Sequence, residues 1–120
     1  MAYANKMMGG SGIPAQMATA ITGGVLNTLT ATGTTQGTAY TVGLGTAYFS
    51  TVAANTGAVL QAGAPGDEVW IHNAGANALT VYPPSGAQIN AAGTNTGVSL
   101  ATNTGLLLKC ISATQWVAIS

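Results

Sequence analysis

Charge is what this sequence has least of. Among its 120 residues only Lys6, Asp67, Glu68 and Lys109 carry a permanent charge. They make up 3% of the chain, whereas a free soluble domain keeps roughly a quarter of its residues charged to hydrate its surface. The surface must instead be built from Ala, Gly, Thr, Asn, Ser and Gln, and burying such a coat strips few ions of water. That suits a protein that works packed against other proteins.

Other absences exclude whole classes of function. The basic residues are Lys6 and Lys109 alone, so no electrostatic footprint exists for a phosphate backbone and nucleic-acid binding is excluded. The apolar stretch 13–26 is interrupted by Gln16, Thr19, Thr22, Gly23 and Gly24, well short of the roughly 18 to 20 apolar residues of a membrane span. No membrane helix is expected. The opening residues have one lysine and no apolar stretch behind it, so they do not read as a signal peptide, and synthesis and retention in a cytoplasm until assembly are expected. Cys110 is the single cysteine, which rules out an intrachain disulfide or a multi-cysteine metal site. Its place in the apolar run 106–111 reads as a buried small hydrophobe.

What is present divides near Gly24. Residues 1–24 hold all four methionines, Met1, Met7, Met8 and Met17, with several glycines and no sustained alternation, and read as an extended arm. Within it residues 14–21 allow about two helical turns, with Pro14 in the first turn and Gly23-Gly24 beyond the end. So short a helix does not offset its nucleation cost alone, so the segment is expected to order against a partner.

From Val25 to the end the apolar period is two, in nine short runs: 25–30, 39–42, 47–52, 58–61, 68–72, 78–82, 97–100, 106–112 and 115–119. One β domain over residues 25–120 is expected, an all-β antiparallel sandwich or jelly-roll-like barrel. Ala64-Pro65-Gly66-Asp67 has Pro and Gly where a type II turn needs them, and 73–77 is a compact loop. Asn-Thr-Gly occurs at 55–57, 95–97 and 103–105, each time before an apolar run, with the glycine expected to take positive φ. These recurrences have no fixed period and do not read as a structural repeat.

Alternation assigns faces. Val69 and Ile71 should enter the core beside Leu79 and Val81, while Glu68, Trp70 and His72 share the opposite face with Thr80 and Tyr82. Residues 106–111 are apolar on both faces, as in a central or interface strand.

No constellation for chemistry emerges. Asp67 and Glu68, the only carboxylates, are neighbours whose side chains diverge on a strand, so they cannot act as an acid and base across a substrate. His72 with these two fits no familiar metal set and is expected to be a hydrogen-bonded strand histidine. No serine has a nucleophile-elbow context, and Gly43-Leu-Gly lacks the rest of a dinucleotide fingerprint. No catalytic residue, metal or cofactor is expected. Trp70 and Tyr82, with Asn73 and Asn77 near them, are the candidate platform for a sugar.

The stretch from Gly66 to Asn90, with its Asn73-Ala-Gly-Ala-Asn77, Val81-Tyr-Pro-Pro-Ser-Gly86 and Ile89-Asn90, and the closing 115–119, resembles small virion proteins of tailed bacteriophages, namely capsid decoration (cement) proteins and related head-fibre modules. The resemblance covers about the last half of the chain. It implies an all-β knob on the outer capsid surface of the virion, often a homotrimer, whose arm reaches across subunits of the major capsid protein. On this reading Met7, Met8, Ile13, Met17 and Ile21 contact the shell, and Trp70, Tyr82 and Leu107 pack subunits together. A head- or tail-fibre module binding a host surface glycan, and a subunit that assembles itself into a tube or filament, are the alternatives.

Overall fold

The structure is a computed structural model that describes residues 25–119. The arm 1–24, its expected helical turns and the five shell-contact residues assigned to it lie outside the described residues. Ten strands form two sheets: β1 (Val25–Thr30), β2 (Tyr40–Val42), β3 (Gly45–Thr51), β4 (Gly57–Leu60), β5 (Glu68–Asn73), β6 (Leu79–Tyr82), β7 (Gln88–Ile89), β8 (Val98–Leu100), β9 (Thr104–Ser112) and β10 (Gln115–Ile119). One sheet, the larger, has the order β1-β3-β5-β9-β10-β7; the smaller has β2-β4-β6-β8. The described residues contain no helix, and therefore none long and apolar enough to cross a membrane.

All-β is correct; an antiparallel jelly roll is not. From β1 to β6 the chain alternates between the two sheets, and each strand pairs in parallel with the strand two places on. The result is a short β-solenoid of three coils. Antiparallel pairing between these strands enters where β8 and β9 return alongside β6 and β5 and where β10 folds back on β9, and one antiparallel bridge joins Thr32 to Gly57. Alternation of apolar residues is common to parallel and antiparallel strands, so the period of two could not distinguish them. The turns decide: they carry the chain across to the other sheet instead of folding it back on its neighbour.

The coils are unequal. Val25 lies opposite Thr46 and Gly45 opposite Val69, offsets of 21 and 24 residues, while Tyr40 opposite Ala58 is an offset of 18. The backbone repeats without a fixed sequence period, which is why no repeat was legible. Its N-terminal edge is irregular, with register shifts in β1 and positive φ at Thr28, and a bulged edge is a poor template for further strands.

Between the sheets lies one core. Phe49, Val69, Ile71, Leu108 and Trp116 enter it from the larger sheet, and Val42, Leu60, Leu79 and Val81 from the smaller, all buried. Tyr40 meets Phe49 edge to face, ring centroids 5.7 Å apart, the arrangement the ring quadrupoles favour. Strand β9 runs between β5 and β10; Leu106, Leu108 and Cys110 on one of its faces are buried, while Ile111 on the other is exposed. Cys110 is buried in it, and desolvation first, then the negative charge of Asp67, push its thiol above the usual range.

The Asn-Thr-Gly triplets divide their labour differently from expectation. Positive φ falls on the asparagines, Asn55, Asn95 and Asn103 (φ 63, 61 and 61), a conformation their short polar side chain tolerates. The glycines make room for rings. A Cβ on Gly57 would come 2.8 Å from Tyr82 Cε2, and one on Gly97 would come 3.0 Å from Tyr82 Cδ1. Tyr82 thus lies between two bare backbones, Gly57 on β4 and Gly97 just before β8. The type II turn forms as expected: Gly66 has φ 97, Asp67 N donates to Ala64 O at 3.0 Å, and Asp67 Oδ2 accepts from Ala64 N at 2.8 Å.

One polar side chain is fully buried among the described residues. Asn73 Nδ2 donates to Asn77 O (2.8 Å) and Leu100 O (3.0 Å), and its Oδ1 accepts from Gly75 N (2.9 Å). It binds the end of β5 both to its own turn and to the opposite sheet. Asn73→Ala removes all three bonds and should cost about 3 kcal/mol in urea unfolding, since buried partners are left unpaired. In Asn73→Asp a carboxylate oxygen faces two carbonyls, an arrangement that favours the protonated acid in the folded state. Between the unfolded pKa of about 4 and the raised folded value, the folded chain keeps a proton that the unfolded chain releases, so stability falls as pH rises. The deficit of this variant should therefore grow from pH 4 to pH 7; a deficit independent of pH would contradict the role given to the amide.

Candidate functional site

The groups that carry chemistry are dispersed. The carboxylate of Asp67 is engaged by the turn at Ala64. Glu68 lies 3.7 Å from Lys109 on an exposed part of the larger sheet, a pair that adds little stability because water screens it. His72 is stacked on Tyr48, centroids 5.4 Å apart and planes 8° from parallel, so its ring contact is a stack and not the hydrogen bond expected of it. Among the described residues no group of three or more His, Cys, Asp or Glu side chains could hold a metal ion.

The feature that stands out is the outer face of the larger sheet. Strand register brings its side chains into rows. Trp70 on β5 lies between Thr46 on β3 and Leu107 on β9, and Leu107 is in turn opposite Ile119 on β10. A second row holds Tyr48 and His72, and a third holds Glu68, Lys109 and Val117. Trp70 is 46% exposed, Ile111 49%, Ile119 63% and Tyr48 38%, so four large apolar residues reach solvent from one sheet. Exposed apolar side chains gathered on one face mark a contact surface more often than scattered ones do.

Trp70 lies low on this face. A Cβ on Gly105 would come 3.2 Å from its Cζ2 and 3.4 Å from its Nε1, so one side of the indole lies against the backbone of β9. The missing side chain lets the ring lie close to the sheet. Charge on this face is confined to one acid and one base, which oppose each other across β5 and β9.

Of the three residues assigned to subunit packing, two come together. Trp70 and Leu107 are directly opposite on β5 and β9. Tyr82 belongs to β6 in the other sheet, half-buried between its glycines, with its hydroxyl donating to Thr34 O at 3.3 Å. The expected common face for Trp70 and Tyr82 does not form, because β5 and β6 are consecutive in sequence but lie in different sheets. Neither does the paired aromatic platform for a sugar. Tyr48 and Ile119 were missed as surface residues; the alternation Ala47, Phe49 inward could have placed Tyr48 outward, whereas Ile119 needs the register of β10.

The two tryptophans differ in a way that can be measured. Trp116 is buried and Trp70 half-exposed. In dilute solution acrylamide should quench one emitting component and leave the other nearly untouched, and Trp70→Phe should remove the quenchable one. Quenching that is unchanged in Trp70→Phe would contradict this placement.

Comparison with protein-family models, with curated proteins and with solved structures finds no match.

Proposed function

We propose that this chain is a structural virion protein that decorates the outer surface of a bacteriophage capsid, bridges major capsid protein subunits, and catalyses nothing. The observation that carries the reading is the outer face of the larger sheet, where Tyr48, Trp70, Ile111 and Ile119 are exposed beside a single acid and a single base. Burying such a face strips few ions, and its exposed indole and isoleucines supply the contact area that association requires. The resemblance of 66–90 and 115–119 to decoration proteins supplies the setting, with copies associated as a homotrimer. Each copy stabilises the shell by binding the mature lattice in preference to the dissociated one, and many weak contacts act together through avidity.

The arm completes the proposal. Met7, Met8, Ile13, Met17 and Ile21 are the shell contacts, methionine suiting an adaptable surface. A glycan-binding fibre module loses its best platform with Trp70 and Tyr82 in different sheets.

Rebinding to bare shells tests both parts. The intact protein should restore the shells' resistance to heat, and a form beginning at Val25 should bind at least about tenfold more weakly once the arm's contacts are gone. A truncated form that rebinds as well as the intact one overturns the arm's role, and an intact protein that does not rebind at all overturns the decoration reading. A purified chain that polymerises alone into tubes would favour a filament subunit instead.

A further inference from the structure

The outer face of the larger sheet has two unlike halves. On β3 and β5 stand Tyr48, His72 and Trp70 with the acid Glu68; on β9 and β10 stand Leu107, Val117 and Ile119 with the base Lys109. We propose that this face is covered by the same face of a second copy of the chain, the aromatic, acidic half of one against the aliphatic, basic half of the other. The inference rests on the proposed function only in that the chain works among copies of itself.

Strand register aligns the two halves. Glu68 is opposite Lys109 and Trp70 opposite Leu107 across the neighbouring strands β5 and β9. A twofold axis lying in the contact plane, parallel to the strands and between β5 and β9, exchanges those two strands. It sets Glu68 over the second copy's Lys109 and Trp70 over the second copy's Leu107. One acid and one base on one face are thus self-complementary, and no like charges meet. Three copies around a common axis satisfy the same half-against-half rule.

The occupant's chemistry follows from what the face does not offer. A sugar needs directed polar partners beside the ring it stacks on, yet the carboxylate of Glu68 faces Lys109 and the far half is aliphatic. The four strands β3, β5, β9 and β10, about 4.8 Å apart, with three alternate positions along each, span roughly 15 Å by 15 Å, well below the roughly 800 Å² per partner of a standard contact, so association should be weak and concentration-dependent.

Sedimentation equilibrium of the full chain from about 10 micromolar to about 1 millimolar tests this, because so small a contact dissociates in that range. The wild type should pass from monomer to dimer or trimer. Ile119→Lys, at a position exposed enough to leave the fold intact, should weaken association at least about tenfold. Glu68→Lys and Lys109→Glu should each weaken it about fivefold, and the double exchange should return it to within about threefold of the wild type. A wild type that stays monomeric throughout overturns the inference, as does an oligomer indifferent to Ile119→Lys or a double exchange no better than either single change. Shell rebinding is read separately: a monomer that rebinds shells sinks this inference and leaves the decoration reading standing, and an oligomer that cannot rebind does the reverse.

Discussion

The buried amide of Asn73 is the interaction on which the two-sheet arrangement depends. It stands at the end of β5, where the chain leaves the larger sheet, and its amide joins the carbonyls of Asn77 and Leu100 while its oxygen holds Gly75 N. Around it Asn103 N donates to Asn73 O at 2.6 Å and Asn77 Nδ2 to Val52 O at 2.9 Å, so three crossings between sheets converge on one polar cluster. A solenoid has to turn its backbone through such corners repeatedly, and every corner exposes peptide groups that β pairing no longer satisfies. Asparagine meets both needs here, as a side chain that caps carbonyls at 73 and as a residue tolerant of positive φ at 55, 95 and 103.

Once the corners are fixed, the faces follow. Inward positions fill with Val, Leu, Ile and Phe, and on the outer face of the larger sheet Tyr48, Trp70, Ile111 and Ile119 reach solvent. The glycines of the triplets serve this arrangement by letting rings lie against backbone, Tyr82 over Gly57 and Gly97 and Trp70 over Gly105. Thus one short motif shapes both the corner and the aromatic surface beside it.

Much of this was legible in the sequence, and the losses have physical causes. Nine of the ten strands showed as alternation, whereas β7, two residues long, is too short for a period to register. Burial of Val69, Ile71, Leu79 and Val81 followed from alternation alone. Which strands pair did not, because the same pattern serves parallel and antiparallel ladders, and that one ambiguity separated Trp70 from Tyr82. The glycine positions were visible as recurring Asn-Thr-Gly, but their purpose lay in contacts with residues distant in sequence. The outer face was half legible: Trp70 and Leu107 were singled out, and their shared row depends on the pairing of β5 with β9.

On the proposed function the outer face of the larger sheet, apolar apart from His72 and the Glu68–Lys109 pair, is buried when the protein works. Hydroxyl-radical footprinting of the isolated chain at high dilution and of the chain in its assembled state tests it without any substitution. Trp70, Ile111 and Ile119 should lose labelling on assembly. Equal labelling of Trp70 and Ile119 in the two states would contradict the account.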